Sequence, residues 1–341
     1  MQPIVLGPNL PDTFYRGAGR IGRFRGDAAA AAAGRPEDWI ASTTARIGGA
    51  GEGQQSAGMT RLADGTLLAD VIAADPVGWL GREHVARYGA DPALLVKLLD
   101  AGQRLPLHVH PDRGFAAEHL ASPYGKTEAW IVLEADPGAA VYLGFSRDVS
   151  AAELDGWVRQ QDVEAMLAVT NRLPVTAGDT VLCPAGTPHA IGDGILVVEL
   201  QEPTDWSVLL EWRGFGLDPG DATLGLPLDE ALACVERQAC PPERLRALRG
   251  RRLDHVAGSL LPDEANPFFL AERVGPGLSG ERLSPGYSVL IVTEGSGALT
   301  AETRAAVPVP VGRGSTVLIP HAAGACALSG DFLAVRARPY S

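Results

Sequence analysis

The sequence is poor in lysine, in paired cysteines and in basic clusters. Only two of its 29 basic residues are lysines, Lys97 and Lys126, and 41 acidic residues give the 341-residue chain a formal net charge of −12. Nucleic-acid sites need concentrated positive charge and no basic patch stands out, so a nucleic-acid partner is poorly supported. The four cysteines form no CxxC pair, which argues against a disulfide scaffold and against a cysteine-ligated zinc site.

Long apolar runs are also missing. No stretch approaches the ~20 apolar residues that a bilayer-spanning helix needs, and residues 1–8 lack the charged start and apolar run of a signal peptide. We therefore expect a cytoplasmic protein with no membrane partner. The hydrophobic content of 46% is ordinary for a globular protein, and the chain length favours two domains of roughly 100–200 residues each.

Short strands separated by turn residues dominate from residue 94 onwards. Such spacing favours a β-sandwich or barrel over βαβ units. A capping box from Ser150 to Glu153 predicts helical segments to about residue 171, and a second helical stretch, broken by a Pro-Pro pair, is predicted over 228–249. Strands are predicted at residues 94–99, 105–110, 129–134, 139–144, 180–183, 195–201, 288–293, 316–319 and 332–336.

The first 90 residues are rich in glycine and alanine and carry one recognisable motif. Residues 17–22, GAGRIG, match the GxGxxG pattern of dinucleotide-binding loops. That pattern requires a buried strand before it and a helix after it within a βαβ unit. Pro8, Pro11 and Asp12 precede the motif and no βαβ unit follows, so we interpret it as a glycine-rich surface loop.

An internal repeat links the two halves of the chain. The sequence GDTVLCP at residues 178–184 returns as GSTVLIP at 314–320, with five of seven positions identical. A repeat of this kind predicts two β-domains of one type, joined by the helical stretch between them.

Histidine is scarce, with seven in the chain, and three of the seven are spaced for a metal site. His108 and His110 lie two apart on a predicted strand, so both side chains face the same way. Glu128 leads into another strand, and His189 follows a tight turn. Three imidazoles and one carboxylate suit a borderline divalent cation such as Zn²⁺.

Glycines frame these histidines at the two spacings of the cupin motifs. Gly102 precedes the His-x-His pair by five intervening residues, and Gly178 begins the pattern G-x5-P-x-G-x2-H that ends at His189. A lone His-x-His pair is more often a polar patch on a half-exposed strand. Because both spacings are met at once, we predict one divalent metal per chain, bound by the three histidines and the glutamate.

Three stretches resemble the type I phosphomannose isomerases, zinc-dependent members of the cupin superfamily. They are residues 94–111, the GKTEAW motif at 125–130, and residues 177–201 with the motif PAGTPHAIGDG. The resemblance runs from about residue 37 to residue 212. With the repeat, it implies a mainly β fold of two cupin-type jelly-roll barrels with intervening helices. The implied domains are a metal-binding cupin with an N-terminal extension and inserted helices at 1–215, a helical connection at 216–250, and a degenerate second cupin at 251–341.

The resemblance also implies an activity, the interconversion of mannose 6-phosphate and fructose 6-phosphate through an enediol. It implies that His110, Glu128 and His189 ligate zinc, with His108 in the place of the family's glutamine ligand. An imidazole ligates zinc at least as well as an amide oxygen, so we expect the site to survive this change.

The two lysines fall inside the matching stretches, at positions that the resemblance assigns to the substrate pocket. We expect Lys97 to bind substrate. A general base must move the proton from C2 to C1 of the sugar, and both Lys126 and Glu199 are candidates. Glu199 could equally be a buried carboxylate that supports a metal ligand. The choice between them stays open at this point.

Two departures concern the handling of phosphate. Pro106 stands where the family has a serine implicated in holding phosphate, and Leu209 stands where the family has an active-site arginine. Arg213, four residues on, is a candidate for the missing charge in substrate binding. Two alternatives therefore stay open: an isomerase of an unphosphorylated or different sugar, and a non-catalytic sugar-binding cupin.

The C-terminal repeat lacks the metal ligands. No His-x-His pair precedes its glycine, and His321 is interpreted as a turn residue. His84, His119 and His255 have no metal-spaced partners, and we predict them at the surface.

Overall fold

The computed structural model describes residues 1–47, 56–254, 258–278, 282–303 and 306–340, which form short helices and antiparallel strands. The strands are β1 (Ile4–Leu6), β2 (Glu37–Ile40), β3 (Leu95–Ala101), β4 (His108–Val109), β5 (Glu128–Ala135), β6 (Ala140–Phe145), β7 (Thr170–Pro174), β8 (Thr180–Cys183), β9 (His189–Ile191), β10 (Ile195–Gln201), β11 (Val208–Leu209), β12 (Gly258–Ser259), β13 (Phe269–Val274), β14 (Arg282–Leu283), β15 (Ser288–Ala301), β16 (Val309–Gly312), β17 (Thr316–Ile319) and β18 (Cys326–Pro339).

The helices are α1 (Arg20–Arg25), α2 (Ala28–Ala33), α3 (Leu68–Ala74), α4 (Pro76–Leu80), α5 (Arg82–Tyr88), α6 (Arg113–His119), α7 (Ala151–Gln160), α8 (Val163–Ala168), α9 (Pro219–Ala222), α10 (Leu228–Leu232) and α11 (Pro242–Ala247). Single 3-10 turns occupy Arg213–Phe215, Asp263–Ala265 and His321–Ala323. Within the described ranges, none of these helices has the length and apolar character needed to cross a bilayer.

The strands form three antiparallel sheets. Two five-stranded sheets, ordered β2-β3-β10-β5-β8 and β11-β4-β9-β6-β7, come from the first two thirds of the chain. The third sheet follows the order β1-β17-β15-β18-β13-β12, with β14 beside β18 and β16 beside β15. The prediction of a mainly β, antiparallel protein is confirmed. As the described residues pair, each sheet is open and none closes into a barrel.

The two five-stranded sheets share one hydrophobic core. Val96 and Val198 of the first sheet and Val141 and Ile191 of the second belong to the same buried cluster. The other face of the second sheet is covered by α7, α8 and α10, and together they form a second hydrophobic cluster. The first sheet has both faces buried, and all seven residues of β10 (ILVVELQ) are buried, including its two polar ones.

Several elements differ from their predicted bounds for local reasons. The predicted strand at 105–110 is reduced to β4, because Pro106 has no N–H to add to a ladder. The predicted helix to residue 171 divides into α7 and α8 at Gln161, whose φ of 56° is left-handed. Strands β15 and β18 run longer than predicted because they pair with each other through a bulge near Val292 and Glu294.

The glycine-rich loop at residues 17–22 binds a carboxylate of the protein itself. Asp100 Oδ2 accepts hydrogen bonds from the backbone N–H groups of Ala18, at 2.7 Å, and Arg20, at 2.8 Å. Gly102 lies against the same loop, where an added Cβ would be 2.4 Å from the carbonyl carbon of Gly17. The N–H groups that a phosphate would need are therefore already occupied by Asp100.

Candidate metal centre and cavity

The four predicted ligands converge between the two five-stranded sheets. His108 on β4 and His189 on β9 are direct cross-strand partners, with ring centroids 4.1 Å apart. The ring of His110 lies 4.8 Å from both. Glu128, the first residue of β5, meets them from the other sheet. All four side chains are buried, and none is more than 8% exposed.

Backbone carbonyls orient all three imidazoles in the same way. The Nδ1–H groups donate to the carbonyl oxygens of Pro106 (from His108, 2.8 Å), Trp206 (from His110, 2.7 Å) and Thr187 (from His189, 2.8 Å). A proton on Nδ1 leaves the Nε2 lone pair free, which is how proteins commonly prepare histidines for metal ligation.

The unprotonated Nε2 atoms of His110 and His189 face the carboxylate of Glu128. His110 Nε2 is 3.0 Å from Oε2, and His189 Nε2 is 3.2 Å from Oε1. Burial lowers the pKa of His108, and burial together with the charge of Lys126 lowers the pKa of His110 to about 3, so both rings are neutral. Glu128 Oε2 and His189 Nε2 have no hydrogen-bond partner within the described ranges. Buried acceptors that face one another in this way fit a bound cation.

Lys126 lies at the edge of this cluster. Its Nζ atom is 2.8 Å from His110 Nε2 and 3.3 Å from Glu128 Oε2. Burial alone would raise the pKa of Glu128, but the charge of Lys126 holds that pKa well below its usual range. The carboxylate is therefore ionised and available to a cation.

Lys97 lies at the centre of a second cluster of charged side chains, on the same face of the first sheet. Lys97 on β3 and Glu199 on β10 are cross-strand partners. Lys97 Nζ lies 3.7 Å from Glu199 Oε2, 3.7 Å from Glu37 Oε2, and 4.5 Å from the ring centroid of Trp39. Burial opposes the charge of Lys97, yet the two carboxylates outweigh it and raise the pKa of Lys97. Trp130 Nε1–H donates to Glu199 Oε1 at 3.2 Å.

The carboxyl of Glu199 titrates near neutrality. Burial and the negative charge of Glu128 raise its pKa to about 7, although Lys97 and Lys126 act in the opposite direction. A carboxylate with such a pKa suits proton transfer near neutral pH.

One cavity of about 390 Å³ joins the two charged groups. Most of the predicted site residues line its wall: Lys97, His108, Lys126, Glu128, His189 and Glu199. Pro106 and Leu209 line it too, as apolar wall. Arg213 does not line the cavity. It is exposed, in the 3-10 turn where its backbone N–H donates to Gln161 Oε1.

Several polar residues of the cavity wall were not predicted from the sequence. The wall includes Tyr15, whose hydroxyl donates to Glu37, and also Arg46 and Asp205. The segment Glu37-Asp38-Trp39, at the start of the region that resembles the isomerases, was a signal that could have identified Glu37. Nothing comparable marks Tyr15 or Arg46.

Cys183 is a further neighbour of the centre. It is the cross-strand partner of Glu128, and its Sγ lies within 4.8 Å of ligand atoms of Glu128 and His189. Burial raises the pKa of the Cys183 thiol. The strand at 180–183 was predicted, but its pairing with the strand that carries Glu128 was not. That pairing was needed to find this residue.

The remaining histidines lie elsewhere. Among the residues that the structure describes, neither group that could hold a metal includes His321. The prediction that His84 is exposed was wrong: the residue is 2% exposed on α5, and its Nε2 is 2.7 Å from the carbonyl oxygen of Asp91. His119 is half-buried on α6, and His255 lies outside the described residues.

The fold and the cluster together define a class of protein. It is an antiparallel β-protein with three histidines and a glutamate that could hold a metal, buried beside a cavity between two sheets.

Sequence comparison finds relatives named mannose-6-phosphate isomerase. The chain is 39% identical over 134 residues to the mannose-6-phosphate isomerase of Streptococcus mutans, a stretch that covers 38% of this chain and 41% of that protein. It is 28% identical over 240 residues to mannose-6-phosphate isomerase ManA of Bacillus subtilis, covering 70% and 72%. The match thus spans less than half the length of the Streptococcus relative. No family model matches the chain.

Solved structures show the same fold. The mannose 6-phosphate isomerase of Bacillus subtilis aligns with a TM-score of 0.73 at 20% identity, over 99% of this chain and 100% of that chain. The apo form of the Salmonella typhimurium enzyme aligns with a TM-score of 0.74 at 15% identity, over 100% of both. The resemblance to the phosphomannose isomerases that the motifs indicated is confirmed.

Proposed function

We propose that this chain is a metal-dependent aldose–ketose isomerase that interconverts mannose 6-phosphate and fructose 6-phosphate. The observation that carries the proposal is the convergence, beside one cavity, of three buried imidazoles, an ionised glutamate and two buried lysines. The relatives named mannose-6-phosphate isomerase support the choice of substrate.

We propose Zn²⁺ as the cofactor, one ion per chain, held by His108, His110, Glu128 and His189. The nitrogen-rich donor set and the carbonyl-bonded Nδ1–H groups support this choice. When bound, a divalent metal supplies a Lewis acid that polarises the carbonyl and hydroxyl oxygens of the sugar.

The proton transfer is assigned to Glu199. Its carboxylate takes the proton from C2 of the aldose and returns it to C1, while one proton passes from the C2 hydroxyl oxygen to the C1 oxygen. Lys126, beside the metal ligands, opposes the negative charge that develops on the sugar oxygens. Lys97 binds sugar hydroxyls and, at 3.7 Å from Glu199, favours the ionised form of that carboxylate.

The resemblance to the phosphomannose isomerases also supports a proposal for the domain boundaries. We assign the facing five-stranded sheets to a metal-binding cupin within residues 1–215, and the helices α9, α10 and α11 to a connection at 216–250. The third sheet, apart from β1, which joins it from the N-terminal extension, is assigned to a degenerate cupin at 251–341. The repeat supports this division, because its first copy lies on β8 and its second on β17. We further propose a cytoplasmic location.

Proton-exchange NMR in D₂O tests the activity directly. Mannose 6-phosphate, mannose and fructose are each incubated with the metal-loaded protein. Deuterium is expected at C2 of mannose 6-phosphate and at C1 of the fructose 6-phosphate formed from it. Exchange with the free sugars alone would instead indicate an unphosphorylated substrate, and no exchange with any sugar would indicate a binding protein.

The assignment of Glu199 predicts a pH dependence. Its carboxylate can accept a proton only when ionised, so log(kcat/KM) should fall by about one per pH unit on the acid side of its pKa. That pKa is about 7 before a dication is bound, and a neighbouring dication lowers it, so the midpoint is expected at or below pH 7. In Glu199→Gln this acid limb should disappear from the residual rate. Persistence of the same limb in the variant would contradict the assignment.

A further inference from the structure

Among the residues that the structure describes, three cations line the cavity, and two of them are already paired. Lys97 lies between Glu37 and Glu199, 3.7 Å from a carboxylate oxygen of each. Lys126 lies 3.3 Å from Glu128 Oε2. These lysines already balance buried carboxylates, and a phosphate group brings up to two further negative charges.

The third cation, Arg46, has no such partner. Its side chain is half-buried in the cavity wall, and within the described ranges no hydrogen bond or ion pair joins its guanidinium to another residue. In the described part of the chain, five carboxylates share that wall: Glu37, Glu128, Glu199, Asp205 and Asp221. An arginine that pairs with none of them keeps all its donors available to an incoming anion.

The backbone around Arg46 is fixed relative to the metal centre. The N–H of Arg46 donates to the carbonyl of Ala57 at 2.7 Å, and the N–H of Ile47 donates to Asp205 Oδ2 at 3.0 Å. Asp205 is followed by Trp206, whose carbonyl accepts the Nδ1–H of His110. One short segment therefore orients a candidate metal ligand and anchors the backbone that carries the arginine.

The wall is apolar at the two positions that the resemblance links to phosphate handling. Pro106, with no N–H, and Leu209 are apolar lining residues. The carboxylates outnumber the cations, so a phosphate dianion would meet net repulsion without a dedicated positive group. A guanidinium can donate two parallel hydrogen bonds to phosphate oxygens, which a lysine ammonium cannot match.

We propose that Arg46 binds the phosphate group of the substrate and so selects a sugar phosphate over the free sugar. This inference rests on the proposed function, since it names the residue that recognises one end of the substrate of that same site.

The test compares Arg46→Ala and Arg46→Lys with Arg82→Ala, a control on an exposed residue of α5. KM for mannose 6-phosphate should rise roughly 10–100-fold in Arg46→Ala and less in Arg46→Lys, with kcat changed far less. Exchange at C2 of free mannose should stay at its wild-type rate. Titration calorimetry of the metal-loaded protein with inorganic phosphate should show a matching loss of affinity in Arg46→Ala.

The inference would be overturned if Arg46→Ala left both KM and phosphate affinity unchanged. It would also be overturned if Arg213→Ala raised KM instead. The two proposals fail separately. If the wild-type protein exchanges no sugar proton while its phosphate affinity still depends on Arg46, the proposed function is wrong and the phosphate site stands.

Discussion

Replacement of His110 and His189 together by alanine should remove the metal and all measurable turnover. Wild-type protein is expected to contain close to one equivalent of divalent metal, because two buried groups of three possible donors share His189. The double variant retains only His108 and Glu128, and a two-donor site on facing sheets does not hold a dication firmly. Even the loss of a residue that only supports a ligand lowers metal affinity by about 10–100-fold. The loss of two ligands should lower the affinity further, and the metal content of the purified protein should fall at least about tenfold.

Elemental analysis of protein purified without added metal gives the metal content, and melting with and without a chelator gives its contribution to stability. A ligand that binds only the folded state stabilises it, so the chelator should lower Tm in the wild type and leave the double variant unchanged. His119→Ala, which replaces a half-buried histidine of α6, is the matched control and should keep both metal and melting temperature. If the double variant kept its metal content, the assignment of this cluster as the metal site would be wrong.

Spacing along the chain was enough to single out the three histidines and Glu128 as candidate ligands. His108 and His110 share a face through the two-residue period of a strand, and the glycine spacing located the turn before His189. Gly102 has a physical reason to be glycine, because an added Cβ would clash with the backbone of Gly17. The contact of His189 with Glu128 then follows from two strands that face each other across the core.

The rest of the cavity depends on contacts between distant segments. Tyr15, Glu37 and Arg46 come from the first 50 residues, where no hydrophobic period predicted the elements. Their placement is fixed by long-range pairing, as when β2 joins β3 and sets Trp39 opposite Lys97. Arg213 was chosen for its nearness in sequence to Leu209, yet the 3-10 turn that carries it lies outside the cavity wall.

Lys126→Met should lower turnover by roughly 10²–10⁴ with little effect on folding. The ammonium lies 3.3 Å from Glu128 Oε2 and 2.8 Å from His110 Nε2, so it is placed to oppose charge that develops on a sugar held at the metal centre. Methionine keeps most of the apolar stem and removes the charge. In the metal-loaded protein the dication still compensates Glu128, so the buried carboxylate is not left unpaired.

Metal content and melting temperature of metal-loaded Lys126→Met should therefore stay near wild-type values. Removal of a cation beside the ligands also reduces repulsion of the dication, so metal affinity should not fall. Arg82→Met, which removes one positive charge from an exposed helix, is the control for net charge and should keep full turnover. If Lys126→Met turns over mannose 6-phosphate at the wild-type rate, this lysine has no part in the reaction, and charge stabilisation falls to the metal alone with Glu199 as the base.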